Sequence, residues 1–133
     1  MYYGTQYTMF SFSTELKSGS PVYEQVVYAV KKAIVSGHMK PGDSFPSVRK
    51  LSQELRINPN TAHKVVAALV AERLLEVKPG IGTVVAEAPG ADRAARRALL
   101  GATVEKLVVE AKQMSLTVDD VTEAIRSHWK LLR

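Results

Sequence analysis

The chain has 133 residues, with 18 Lys and Arg against 13 Asp and Glu for a formal net charge of +5, and it contains no cysteine. That length holds one compact domain of about 70–80 residues plus an appendage, and the positive balance favours an anionic partner without naming it. The lack of cysteine excludes disulfides, thiolate metal sites and a cysteine nucleophile; no apolar run approaches the roughly 18 residues a membrane span needs, so a soluble, cytoplasmic protein is expected.

Residues 1–11 place Tyr2, Tyr3, Tyr7 and Phe10 among Gly, Thr and Gln without helical period. They read as a flexible N-terminal extension, Met9 being a second candidate start. The alternation Phe12, Thr14, Leu16 reads as a short extended lead-in. Ser20-Pro21 then resembles an N-cap followed by proline in the first helical position, and Val22, Val26, Ala29, Val30 and Ala33 continue at helical spacing to a stop at Gly37. His38 to Asp43 is turn chemistry, with Pro41 and Gly42 at its centre. Ser47 caps a short helix whose inward stripe is Val48, Leu51 and Leu55, leaving Arg49 and Lys50 elsewhere. Asn58 caps the next helix with Pro59 at its first position, where the missing amide costs nothing.

In that helix Ala62, Val65, Val66, Leu69 and Val70 form a core stripe, while Asn60, His63, Lys64 and Ala67 gather on the opposite side. After Glu72 the period changes. Leu75 and Val77 alternate with Glu76 and Lys78, Pro79-Gly80-Ile81-Gly82 turns the chain, and Thr83, Val84 and Val85 return it. So short a hairpin must lean on the helices to be stable. Its tip carries Lys78 and two glycines, which read either as a plain turn or as a close approach of backbone amides to phosphate. Position after two helices favours the second reading.

Glu87-Ala88-Pro89-Gly90 breaks the pattern and marks a boundary. A helix from about Asp92 to Lys112 comes next, with an apolar stripe of Leu100, Val104, Leu107, Val108, Ala111 and Met114. Arg93, Arg96 and Arg97 in its first turns oppose the helix macrodipole, so they either touch phosphate or are simply solvated. Thr117-x-x-Asp120 caps a last helix, with Leu116 and Val121 at staple positions and Val118, Val121, Ile125, Trp129 and Leu132 on its apolar face. Two such helices cannot bury both stripes against each other, so a second copy of the chain is the expected partner, seated on Leu100, Val104, Leu107, Val108, Ala111, Ile125, Trp129 and Leu132.

The order is therefore helix, turn, helix, wing, and the small, polar, basic outer face of the second helix suits the major groove of double-stranded DNA. Pro21-Val22-Tyr23-Glu24-Gln25, Gly37-x-x-Lys40-Pro41-Gly42-Asp43, Phe45-Pro46-Ser47-Val48-Arg49-Lys50-Leu51, Asn58-Pro59-Asn60-Thr61 and Gly80-x-Gly82-Thr83 together resemble the winged-helix domain of the GntR family of bacterial transcription regulators. The resemblance covers about residues 21–86, and the short tail looks most like the YtrA-type branch. It implies that Arg49 reads a guanine or clamps a phosphate and that Ser47 bonds phosphate beside its capping role. Asn60, Thr61, His63 and Lys64 then lie in or beside the major groove, with Gly80 and Gly82 near the minor groove or backbone. Lys50, Asn58, Lys78 and Thr83 complete the expected DNA-binding set. Arg56 and Arg73 stand where the family commonly has glycine, each at a cost of up to about 1 kcal/mol if the position is left-handed.

The expected fold is mainly α with a small β-wing: residues 12–87 as a winged helix-turn-helix and residues 91–133 as a two-helix C-terminal dimerisation element. The expected function is a sequence-specific DNA-binding regulator, a homodimeric repressor on an inverted-repeat operator. The resemblance implies outward guanine-thymine halves and control of a nearby operon, a transporter operon being one candidate; larger members of the family carry a ligand-binding domain that this chain lacks, so an unidentified small-molecule effector is left open as a partner. A winged helix used for protein or RNA contact is the alternative. An enzyme is not expected, because the roughly 45 residues after the wing leave no room for a substrate fold. No metal site is expected from the scattered His38, His63 and His128, and no cofactor.

Overall fold

Helix α1 (Val22–Val35) starts one residue later than the Ser-Pro pair suggests. Pro21 is the N-cap, with φ −56° and ψ 137°, and Val22 is the first helical residue. The Ser20 hydroxyl is not the cap. Instead the Gln25 side-chain amide donates to the Ser20 carbonyl at 2.9 Å, and the Gln25 backbone N–H closes the first turn onto Pro21 O at 3.3 Å. The computed structural model describes residue 16, residues 19–87 and residues 92–132. The expected extension at 1–11, the lead-in before Leu16 and the Pro89-Gly90 break lie outside the described residues. The chain divides into two compact units, Met1–Ala88 and Pro89–Arg133.

In the first unit α1 and α2 (Val48–Leu55) both pack on α3 (Pro59–Ala71). Val26, Val30, Leu51, Ala62, Val65 and Leu69 are 0 or 1% exposed, and Val48, Leu55, Val66 and Val70 lie half-buried around them. Val27 also faces inward, whereas Val22 at the helix start stays exposed. A Lys31–Glu72 ion pair at 2.7 Å ties α1 to the end of α3, but with both side chains 40% or more exposed it contributes at most about 1 kcal/mol.

The segment read as turn chemistry does more than turn. The Lys40 amide donates to the Asp43 carboxylate at 2.8 Å, and Gly42 takes φ 91°. Met39 and Phe45, on either side, enter the core at 2% and 5% exposure. Between them the backbone pairs with the wing through an isolated bridge. Gly42 N–H donates to Val85 O at 2.8 Å, Val85 N–H to Asp43 O at 2.9 Å, and Phe45 N–H to Thr83 O at 2.8 Å. A bridge pairs Ser44 with Val84. The wing itself is β1 (Leu75–Lys78) antiparallel to β2 (Gly82–Val85), in register from Leu75 opposite Val85 to Lys78 opposite Gly82. Leu75, Val84 and Val85 are buried at its base, but Val77 is 63% exposed rather than inward. It sits opposite Thr83, in the outer half of the ribbon where the core has ended.

Three helices of this unit and one of the next end the same way. A residue in the left-handed region lets the following N–H reach back five residues, closing a Schellman loop over the orphan carbonyls. After α1 it is Gly37, at φ 84°, with His38 N–H on Ala33 O at 2.9 Å. Arg56 (φ 54°) places Ile57 N–H on Ser52 O at 3.1 Å, and Arg73 (φ 64°) places Leu74 N–H on Leu69 O at 2.9 Å. The Ser52 hydroxyl returns a bond to Ile57 O at 2.7 Å.

The second unit runs as one helical stretch, α4 (Arg93–Ala98), a π-helical turn (Leu99–Thr103) and α5 (Val104–Gln113), followed by α6 (Val118–Leu131). The π turn is not legible from the apolar spacing. Asp92 caps α4 by accepting Ala94 N–H at 3.0 Å. Ser115, at φ 61°, ends α5, with Leu116 N–H on Ala111 O at 2.9 Å. A reciprocal capping box then starts α6, Thr117 Oγ1 accepting from Asp120 N at 3.0 Å and Asp120 Oδ2 from Thr117 N at 2.8 Å. The Thr117 amide, and after it the Thr117 hydroxyl, hold the Asp120 carboxyl below its usual range. The cap therefore stabilises above the ordinary carboxylate pKa and is lost as pH falls through the lowered one.

Because Arg56 and Arg73 have a Cβ in a region that costs about 1–2 kcal/mol, part of it recovered as lower unfolded-state entropy, Arg56→Gly and Arg73→Gly should each stabilise by up to about 1 kcal/mol. Thermal unfolding should show each midpoint rising by a few degrees, while Arg56→Ala leaves it near the parent. A fall in midpoint for both glycine variants would mean that the arginine side chains outweigh the backbone cost.

Candidate nucleic-acid interface

Helix α3 is built with one face fixed and the other free. Asn58 Oδ1 accepts Asn60 N–H at 2.7 Å, and Pro59 occupies the first turn, so the start of the helix is pinned without any tertiary contact. Ala62, Val65 and Leu69 fill the core. Asn60, His63, Lys64 and Ala67 are left exposed on the other side, and Thr61 lies half-buried at their edge. Lys64 is the member nearest α1: its ammonium lies 5.1 Å from the centroid of the Tyr23 ring, within cation–π range. Tyr23, not singled out from sequence, is therefore the residue that orients this cation.

Helix α2 supplies the second group. Ser47 Oγ accepts Lys50 N–H at 3.2 Å, which makes Ser47 the cap, with Arg49 exposed and Lys50 half-buried in the first turn. The wing supplies the third. Lys78 is exposed at the end of β1, Ile81 N–H donates to Lys78 O at 3.0 Å, and Gly80 and Gly82 take φ 77° and 118°. A Cβ at either glycine would meet nothing within 4 Å, so they are there for backbone conformation, not for lack of room. Between them Ile81 stands 74% exposed, an apolar tip not anticipated from the sequence. Thr83 is half-buried, and its carbonyl is taken by Phe45. Neither α3 nor residues 78–83 carry a carboxylate, so the polar groups on these surfaces are donors, cations and neutral acceptors.

In the C-terminal unit, Ala111 alone among the described residues is buried. Val104, Leu107, Val108, Ile125 and Trp129 are 39–79% exposed, and Leu132 is half-buried. Leu100 is turned toward Arg93, Arg96 and Arg97, with which it lines an open cleft of about 380 Å³. Leu116 and Val121 line one cavity of about 210 Å³ with Val108 and Ala111. Among the described residues no group of three or more His, Cys, Asp or Glu is placed to hold a metal ion, and no helix is long and apolar enough to cross a membrane.

A helix-turn-helix braced by a wing, with the second helix presenting a carboxylate-free polar face, defines the winged-helix DNA-binding class. The family pattern described as "Bacterial regulatory proteins, gntR family" matches residues 22–85. The chain is 31% identical over 111 residues to the HTH-type transcriptional repressor YtrA of Bacillus subtilis (strain 168), an alignment covering 83% of this chain and 85% of that protein. It belongs to the GntR family and is a DNA-binding transcription regulator similar to YtrA. Among solved structures, YtrA from Sulfolobus acidocaldarius, a GntR-family transcription factor, matches with TM-score 0.58 at 29% identity, over 71% of this chain and 97% of that one. A transcriptional antiterminator from Listeria monocytogenes EGD-e shares the fold at TM-score 0.77 and 21% identity, over 88% of both chains. The relatives are transcription regulators, not enzymes.

The Asn58 side-chain oxygen is committed to capping. Asn58→Ala should cost about 1 kcal/mol of stability while Asn58→Ser keeps most of it, as thermal unfolding will show. Binding to DNA measured well below the melting transition should be nearly equal for the two variants. A loss of DNA affinity in the serine variant with stability retained would show instead that the amide meets DNA.

Proposed function

We propose that the protein acts in the cytoplasm as a homodimeric repressor that binds an inverted-repeat operator, most simply that of a neighbouring operon. The observation that carries this reading is the division of labour on α3, whose buried stripe holds a small, polar, cationic face outward at a helix diameter the major groove admits. In this reading Asn60, Thr61, His63 and Lys64 enter or flank the groove. Arg49 and Lys50 approach from α2, with Ser47 and Asn58 holding the two helix starts. Lys78, Gly80, Gly82 and Thr83 bring the wing to the backbone. The exposed apolar side chains of α5 and α6, Trp129 above all at 79%, support a second copy of the chain as the missing cover. Two-fold symmetry between the copies then requires a two-fold site, its halves about one helical turn apart. Repression follows from occupancy alone, since a protein seated on a promoter excludes polymerase. An unidentified small effector would act by changing the dimer's geometry.

Arg49 and Lys78 should differ in kind. If Arg49 reads a guanine edge with its forked donors, Arg49→Ala will cost roughly 1–3 kcal/mol and flatten preference at one position per half-site. Lys78→Ala will weaken binding to all sequences alike and lower the salt slope by about one unit per site. Gel-shift titrations over single-base operator variants distinguish these outcomes, and a uniform loss from Arg49→Ala would reassign it to phosphate.

Leu107→Asp tests the dimer. A carboxylate in an apolar seam costs several kcal/mol unless paired, so sedimentation should show a monomer. Losing the linked second half-site should weaken operator binding by about 10²-fold or more. A Leu107→Asp dimer with full affinity would assign the C-terminal helices to another partner.

A further inference from the structure

The start of the C-terminal helical stretch carries a cationic cluster that neither the helix nor the core requires. Arg93, Arg96, Arg97 and Leu100 stand at i, i+3, i+4 and i+7 and line one open cleft. All three arginines are exposed, and among the described residues none of them is in an ion pair. Asp92, the carboxylate next to them in sequence, is occupied in accepting Ala94 N–H. Arg93 opposes the helix macrodipole and repels Arg96 and Arg97 along the same face, so helix stability does not account for the cluster.

The π turn at Leu99–Thr103 decides which way they face. In an uninterrupted α-helix, residues 93, 97, 100, 104, 107 and 111 would lie along one stripe, and the arginines would continue the apolar seam of Val104, Leu107 and Ala111. A π turn takes one more residue than an α turn, so the Leu99–Thr103 segment rotates α4 by about 100° relative to α5. The arginines are thereby carried off the seam onto a flank, where a second copy seated on the seam leaves them open. Residues 86–92 separate β2 from α4.

We propose that Arg93, Arg96 and Arg97 form a backbone clamp that contacts DNA phosphates outside the bases read by α3, and that the π turn exists to aim it. The inference rests on the DNA-binding reading above. Duplex DNA is preferred over a small anionic effector because the three arginines, about one helical turn from first to last, line an open cleft that faces outward rather than enclosing one group.

The test uses the full-length protein and two duplexes centred on its operator, one trimmed to the base pairs whose identity alters binding and one with about ten further base pairs on each side. Wild-type protein should bind the longer duplex more tightly and with a steeper salt dependence. The variant R93A/R96A/R97A should lose that advantage: the slope on the long duplex should fall by about one unit for each phosphate contact removed, and affinity near 0.15 M salt should drop about tenfold or more. Base preference and sedimentation as a dimer should not change. R93K/R96K/R97K should retain most of the slope. Equal slopes and affinities for wild type and R93A/R96A/R97A on both duplexes would overturn the clamp, as would a lysine variant that loses as much as the alanine one. A wild-type protein that binds neither duplex would instead refute the DNA-binding reading itself.

Discussion

Ala62, Val65 and Leu69 expose no surface at all, and that burial is the contact on which the rest of the first unit depends. Each valine or leucine so buried contributes about 1.5–3 kcal/mol, and α1 and α2 both pack on α3, their buried residues joining its stripe in one core. Because the stripe occupies one side of the helix, helical geometry alone dictates that Asn60, His63, Lys64 and Ala67 come out on the other. A side chain on the exposed face is thus positioned by residues it never touches. Tyr23 is the exception, since its ring holds Lys64 directly from α1.

The wing depends on the same core by a different route. A two-stranded ribbon of four residues a side would be marginal, and two devices hold it. Leu75 and Val85 bury their side chains at its base, and the segment from Gly42 to Phe45 adds three backbone hydrogen bonds along β2. The loop between α1 and α2 is therefore a structural strut for the wing. That is why the far end can carry two positive-φ glycines, an exposed isoleucine and a lysine, none of which stabilises the fold.

Features set by neighbouring residues were legible in the sequence: the Ser47 and Asn58-Pro59 caps, the Thr117–Asp120 box and the α3 stripe all follow from contacts within one turn of the chain. So was the strain at Arg56 and Arg73, whose left-handed conformations the family's glycines foreshadow. Features set by distant partners were not. Met39 and Phe45 flank a Pro-Gly turn and look solvent-facing until Gly42 is paired with Val85, 43 positions away in the chain. Val77 fits strand alternation, yet lies beyond the edge of the core. The π turn at Leu99–Thr103 leaves no mark in apolar spacing. Among candidate site residues, position on the exposed side of α3 was readable, as was the capping role of Asn58; that the Tyr23 ring also engages Lys64 required coordinates.

The two units solve different problems with the same helix-ending device, a left-handed residue and a bond five residues back, and they leave different surfaces unsatisfied. The first unit exposes polar groups that suit a nucleic acid; the second exposes apolar side chains that suit another copy of itself. Together these surfaces lead to one central claim: two identical reading helices act on one duplex through a two-fold axis. Selection of binding sites from random duplex DNA with the full-length protein tests it most directly. The account predicts enrichment of an inverted repeat whose two halves are equivalent and about one helical turn apart. Enrichment of direct repeats or of a lone half-site, or no enrichment above the starting pool, would contradict it.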